Sequence, residues 1–327
     1  MAAHDMTGSR LGVTDATTDG SWAQDNALFL KVFGGEVMTA FDEVNVMKDL
    51  HMSRTINSGK SAQFPATWKT SAGYHTPGAK LLGSQSVSHN ERIIYIDDVL
   101  VSDVFIAEID ELKNHYDVRS EYSKQMGAAL SKAFDTRALQ AAVLASRASA
   151  TVSGGNGGAL IKNTSMATDS AVLAAAMYSA AQNFDEKDVP EGERAVVVKP
   201  AQYYLLLAVD KLLNQDYGSA NGDYAGGKIS TAAGIDIVKS NNVPSTNIAS
   251  ATAGENNTYH GDFSDTVAVA MHKSAIGTVK LMDLATSMTA PDGDFYTQYI
   301  GTLLVAKYAL GTGILRPESA VEISKAA

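Results

Sequence analysis

The sequence predicts an α+β fold organised on one long helix. Three features point to it: an unbroken amphipathic stretch over residues 114–146, an alternation of helical and strand-like segments after it, and some forty residues before it, 50–92, that hold only short extended pieces. In "NHYDVRSEYSKQMGAALSKAFDTRALQAAVLAS", Tyr116, Tyr122, Met126, Leu130, Ala133, Phe134, Ala138, Ala141 and Leu144 recur at three- and four-residue intervals. Asp117, Arg119, Glu121, Lys124, Lys132 and Arg137 avoid that stripe. Asn114 is a suitable cap, no proline interrupts the run, and a helix of that length extends roughly 45–50 Å, longer than a small core requires. Such a helix reads as a spine.

The elements before the spine differ in character. Residues 1–25 are rich in Asp, Thr and Gly and read as a tail that is mobile or ordered by a partner. "NALFLKVFGGEVMTAFDEV" places Leu28, Phe29, Val32 and Phe33 in an apolar stripe broken at Gly34-Gly35, a short helix for its own domain or for a neighbour. Residues 50–92 carry Arg54, Lys60, Lys69, Lys80 and Arg92 against Glu91 alone, whereas the preceding arm is mainly acidic. A helix-free stretch of this length is unusual inside one compact domain and favours contact with another chain. Phe64 and Trp68, either side of Pro65, suit an interface, where complementary charge selects register more than strength.

After the spine, "VSGGNGGALIKNTS" (152–165) reads as a flexible connector, because its glycines lack a dinucleotide spacing. Residues 169–184 read as a helix, "RAVVVK" as a buried strand, "PAQYYLLLAVDKLLN" as a helix opened by Pro200, and "GIDIVKS" and "TVAVAMH" as further strands. "AKYALGTGILRPESAVEISK" closes the chain with strand-like segments either side of Gly311 and Gly313.

Composition narrows the function. The 327 residues are 45% apolar and 19% charged, with a net charge of −10 and no cysteine. Disulfides and thiolate metal sites are excluded, and an acidic chain without a basic run is a poor general DNA binder. The nearest approach to a membrane span, "YIGTLLVAKYALGTGIL", carries Lys307 at its centre and three glycines. "SGKS" at 58–61 imitates a phosphate loop, but Arg54 stands where that loop needs glycine, and Phe64-Pro65 follows where it needs a helix. No nucleophile elbow and no His-Glu-x-x-His helix is present, and no two of the seven histidines lie three to five apart. Asp292 and Asp294 lack the further oxygens of a calcium loop. No enzyme, cofactor or metal site is expected. Asp117, Arg119 and Glu121 read as intrahelical or intersubunit ion pairs.

Five blocks carry a family resemblance: "NALFLKVFGGEVMTAF" (26–41), "SGKSAQFP" (58–65), "NHYDVRSEYS" (114–123), "MHKSAIGTVKLMDLA" (271–285) and "AKYALGTGILRPESA" (306–320). In this order they resemble the major capsid protein of T7-like short-tailed phages, and the sequence of parts resembles the HK97-type capsid fold. The resemblance fades at the extreme N-terminus and between about 145 and 260. It implies an N-terminal arm (1–49), an extended loop (50–92), a peripheral domain with the spine (93–150), an axial domain (151–270) and return strands (271–327). It also implies hexamers and pentamers closing an icosahedral shell round double-stranded DNA without sequence-specific binding. A scaffolding protein would guide assembly in the host bacterial cytoplasm, a portal would occupy one vertex, and no membrane would be involved. The extended loop would lie on an adjacent subunit, which makes Phe29, Phe33, Lys60, Phe64, Trp68, Lys69, Asp117, Arg119 and Glu121 the expected intersubunit residues. An encapsulin-type shell round cargo protein is the alternative.

Overall fold

The computed structural model describes residues 33, 35–41, 45–81, 83, 87–109, 118–209, 222–223, 228–289 and 298–326. Phe29, Asn114, Tyr116, Asp117, Asp292 and Asp294 lie outside these. The strands are β1 (Met52–Thr55), β2 (Ser61–Thr67), β3 (His89–Tyr95), β4 (Leu100–Ala107), β5 (Ala159–Lys162), β6 (Arg194–Val198), β7 (Gly222–Asp223), β8 (Lys228–Ile229), β9 (Thr231–Ala232), β10 (Ile235–Lys239), β11 (Asn247–Ile248), β12 (Gly261–Asp262), β13 (Thr266–His272), β14 (Ile276–Met288), β15 (Gly301–Ile314) and β16 (Ala320–Ser324). The chain forms two compact units. One contains Met1–Asn45, Val99–Phe134 and Met282–Ala309; the other contains Val46–Asp98, Asp135–Leu281 and Leu310–Ala327.

In the first unit β15 pairs antiparallel with β4, from Gly301↔Ala107 to Tyr308↔Leu100. The early turns of the spine helix (Val118–Arg147) bury Ser123, Met126, Leu130 and Phe134. Residues 35–41 are helical and bury Val37 and Ala40. Gly127 permits their close approach, because a β-carbon there would meet the Val37 carbonyl oxygen at 2.5 Å. Phe41 packs against Phe134 and Tyr308 with ring centroids 6.3 and 6.2 Å away. Tyr122, expected in the buried stripe, is 37% exposed, since the contact face turns toward Ser123 and Gly127.

The second unit holds a six-stranded sheet ordered β5-β16-β13-β6-β10-β9. Its central strands β6 and β13 are buried at every position, as expected of near-continuous Val and Ala runs covered on both faces. Leu173, Met177 and Phe184, from the helix Ser170–Glu186, share a core with Val196, Val198, Leu206, Ile237 and Ile323. Asp169 caps that helix, accepting the Ala171 N–H at 2.8 Å. The spine residues in this unit are buried continuously from Ala138 to Val143, which the small side chains there allow. At its end Arg147 grips the buried carboxylate of Glu322 through two hydrogen bonds of 2.6 and 2.7 Å. Without that cation a charge inside β16 would cost several kcal/mol.

The connector expected to be flexible is ordered. Residues 159–162 form β5, paired parallel with β16, and a β-carbon at Gly158 would overlap the backbone of Ser146. Close packing, not freedom, explains that glycine. Similarly, β15 runs unbroken through Gly311 and Gly313.

Two buried titratable groups tie residues 46–51 into this unit. The Asp135 carboxylate accepts the N–H groups of Val46 and Met47, both at 3.0 Å, and the Asn242 amide at 3.2 Å. His51 lies with Nδ1 at 2.5 Å from the Met47 carbonyl oxygen and Nε2 at 2.7 Å from Thr278 Oγ1. The carbonyl can only accept, so Nδ1 donates and a neutral Nε2 accepts the Thr278 hydroxyl. Burial lowers the His51 pKa to about 4. A histidine depressed on folding contributes full stability above its unfolded pKa near 6.5 and loses it as the pH falls toward about 4, a change on the order of 3 kcal/mol. Burial raises the Asp135 carboxyl, a shift of opposite sign that gains stability as the pH falls. The unfolding midpoint is therefore expected to drop between pH 6.5 and 4, and His51→Gln, measured in parallel by denaturant titration, should remove the histidine component and flatten that limb.

Candidate functional site

The extended loop is a two-stranded ribbon with a buried root, all within the second unit. β1 pairs parallel with the start of β14, from Met52↔Gly277 to Thr55↔Lys280. The chain reverses at Gly59, whose φ of +112° lies in the region that favours glycine. Ser61 then opens strand β2 and not a helix, so the Gly-Lys-Ser sequence belongs to a turn. β2 and β3 pair antiparallel from Ser61↔Tyr95 to Thr67↔His89. Only Ala62 and Ile94 of this ribbon are buried. An isolated two-stranded ribbon is marginal in water, so its position depends on what holds its base.

That base is a dense polar root. Ile96 N–H donates to the Lys60 carbonyl at 2.8 Å, Asp97 N–H to Leu310 O at 3.2 Å, and Asp98 N–H to Gly254 O at 2.9 Å. Asn257 brackets Tyr95, accepting its N–H at 3.1 Å and donating to its carbonyl at 2.7 Å. The buried Asp97 carboxylate accepts the Asn256 N–H at 2.8 Å and the Tyr259 hydroxyl at 2.7 Å. Tyr259 Oη in turn accepts the Thr312 N–H at 2.8 Å. Arg137 lies 3.8 Å from Asp97 and 3.5 Å from Glu255, with its guanidinium 5.5 Å from the Tyr259 ring centroid. Burial and the neighbouring Asp97 charge push the phenol far above its ordinary value, keeping it a neutral donor. Gly311 completes the root, because any β-carbon there would collide with the Tyr95 carbonyl oxygen.

Further out, every described residue from Lys69 to Leu81 is exposed, with Tyr74 at 109% and Leu81 at 79% of full exposure. Among the described residues no group of three His, Asp or Glu side chains could hold a metal ion. The arrangement offers a strap of exposed apolar and basic groups on a fixed base. That is a surface for contact.

Comparison with known proteins decides what kind. A family model described as Gp10A-like major capsid protein matches residues 63–324. The chain belongs to that family. It is 36% identical over 318 residues to the major capsid protein of Escherichia phage T7, covering 90% of each protein. It is 36% identical over 330 residues to the major capsid protein of Enterobacteria phage T3, covering 92% of each. Among solved structures, the capsid of cyanophage P-SCSP1u matches with a TM-score of 0.78 and 44% identity over 98% of both chains. The protein is thus a T7-like phage major capsid protein of the HK97-type α+β fold, a structural protein of the virion that self-associates into the capsid shell. An encapsulin-type compartment is not favoured.

The capsid protein places the expected intersubunit residues as follows. Phe29 and Asp117 lie outside the described residues. Phe33 is buried, 3% exposed. Arg119 is half-buried in the first turn of the spine, and Glu121 is exposed, accepting the Gln125 amide at 2.9 Å. Lys60 is exposed at the root. Phe64 is half-buried, with the Arg54 guanidinium 5.7 Å from its ring centroid. Trp68 and Lys69 touch their own chain: the indole lies over Gly154 and Gly155, and Lys69 pairs with Asp188. The loop residues are thereby brought onto one ribbon, apart in sequence from Phe33 and the spine residues. Sequence reasoning missed the root itself. Gly311 inside a strand pattern is the signal that could have found it, since such glycines mark close backbone approach.

Two substitutions measure the root. Gly311→Ala is expected to give insoluble or strongly destabilised subunit, because a backbone atom blocks the new methyl. Tyr259→Phe removes a donor to Asp97 and the acceptor for Thr312 at once, and should lower subunit stability by roughly 1–3 kcal/mol in denaturant titration.

Proposed function

We propose that this capsid protein builds hexamers and pentamers that close an icosahedral shell round double-stranded DNA, with the extended loop of each copy lying on a sister copy. The observation behind this reading is the exposure of the loop beyond its root. Tyr74 and Leu81 stand in water on a ribbon that cannot bury them itself, and apolar groups displayed this way mark an interaction surface. Residues 61–90 contain Lys69 and Lys80 and no acid, in a chain of net charge −10, so the strap is electrostatically complementary to the rest of a neighbouring copy. The arm (1–49), loop (50–92), peripheral domain (93–150), axial domain (151–270) and return strands (271–327) are the corresponding division of labour. Phe29, Lys60, Phe64, Asp117, Arg119 and Glu121 are its interface residues, with Phe64 an anchor, while buried Phe33 and the self-packed Trp68 and Lys69 support it from within their own subunit.

An acidic wall suits a DNA container that must not trap its genome. A scaffolding protein as assembly guide, a portal at one vertex, assembly in the host cytoplasm, a precursor shell that expands, and the lack of any catalytic role follow from the same reading. Phe64→Ala and Trp68→Ala should each yield folded subunits that form few or no shells when co-expressed with a scaffold; normal particles from both, seen by electron microscopy, would reject the loop assignment. Lys60→Glu should impair assembly more at low than at high salt, because screening relieves the new repulsion. An equal defect at both salts would show that charge at Lys60 does not act.

A further inference from the structure

The loop changes character at residue 69, and what lies just before that point is a built contact. Both sides of the ribbon are held against the chain between Thr151 and Gly155. From β3, Asn90 donates to the Thr151 carbonyl at 2.5 Å and Arg92 Nε to Thr151 Oγ1 at 3.1 Å. The Thr151 hydroxyl passes the contact on, donating to Leu315 O at 3.1 Å at the end of β15. From the β2 side, Trp68 continues the ladder by donating its N–H to Ser88 O at 3.0 Å, and its ring covers the turn at Gly154-Gly155. A β-carbon on Gly155 would stand 3.5 Å from that ring, at ordinary van der Waals distance, so the indole packs directly against this turn.

The fourth point is Lys69, whose ammonium pairs with Asp188 and lies 5.8 Å from the Trp68 ring centroid. Asp188 follows the helix Ser170–Glu186 with a φ of +54°, where glycine or asparagine ends a helix with less strain. An aspartate at this position adds a carboxylate facing the loop. Exposed ion pairs are weak, so the Trp68 packing and the two Thr151 contacts supply most of the hold and Asp188 sets its direction. Beyond Lys69, residues 70–81 are exposed throughout.

We propose that Trp68, Lys69, Asn90 and Arg92 latch the loop to its own subunit, and that the latch stays closed in the shell, so that the segment 70–81 is what the loop delivers to a second copy. This rests on the reading that the loop meets a sister copy, and it assigns the parts: Trp68 and Lys69 serve that interface from behind, by fixing where the strap leaves its own subunit.

The chain has no cysteine and two tryptophans, Trp22 and Trp68, which makes the test clean. Full-length protein carrying Lys69→Cys and Asp188→Cys is treated with a short bismaleimide, as free subunit and as assembled shell. An internal link, read as a monomer-sized band with both thiols consumed, is expected in both states. Dimer-sized bands, an internal link confined to the free subunit, or no link would each overturn the latch. Should that variant fail to fold, Trp22→Phe leaves Trp68 as sole emitter. Its acrylamide quenching should be equally weak in subunit and shell, and should rise about twofold or more when Asn90→Ala and Asp188→Ala are added. Quenching as strong as that of free indole in the subunit would also overturn the latch. A photo-crosslinking benzoylphenylalanine placed at Tyr74 reports separately on the parent reading: dimer-sized products in shells are expected. Their absence alongside a closed latch would reject the sister contact while leaving the clamp in place.

Discussion

The second unit depends on the way one short run of main chain, Tyr95 to Asp98, is gripped on all sides. Its N–H and C=O groups are taken by Lys60, Asn257, Asn256, Leu310 and Gly254, and its one buried side-chain charge, Asp97, is shared by Tyr259 and two further donors. A buried carboxylate with several donors tolerates low dielectric, whereas one with a missing donor does not. The root is therefore cooperative: loss of any member leaves the others unsatisfied. Main-chain contacts dominate, so the geometry is insensitive to what the exposed strap beyond it carries.

The same economy recurs at the other buried charges. Asp135 holds the chain at Val46 and Met47, and Glu322 is matched by both arms of Arg147. In each case an acid inside the unit is satisfied by more than one donor drawn from the same unit. Such pairs add little net stability over an apolar core, but breaking one is expensive, and that asymmetry resists alternative packings. For a capsid subunit, which must present one geometry many times over, uniqueness of packing matters as much as total stability.

The legible parts of this chain were those governed by local pattern. The periodicity of the spine, the Val- and Ala-rich cores of β6 and β13, and the proline that opens the helix at Pro200 each act within a few residues, so one dimension suffices to see them. The glycines were misread because sequence cannot separate a glycine chosen for its backbone freedom from one chosen for its missing side chain. Gly158 and Gly311 are of the second kind. The root was illegible for a related reason: Asp97 and Asn257 are 160 positions apart, and nothing near either announces the other. Tyr122 shows the limit of periodicity, since the face of a helix that is buried depends on where a neighbour can come close, here where the helix's own Gly127 meets the Val37 carbonyl.

Stiff base and exposed strap are two answers to one requirement. A strap that bent freely at its root would search a large volume, and ordering it on a neighbour would cost entropy at every contact. Clamping the ribbon up to Trp68 confines that search to the residues beyond, where exposure is needed for contact. Charge then acts on the remaining freedom. Copies carrying a net −10 repel one another at long range, yet at physiological salt that repulsion decays over about 8 Å. In the proposed contact, the acid-free stretch 61–90 is the part that an acidic neighbour would attract within that distance, so screening would leave the local complementarity in control of register. In the proposed contact, placement by the base and selection by charge therefore overlap at Lys69, which pairs with Asp188 on its own subunit, and separate at Lys80, which lies in the exposed strap.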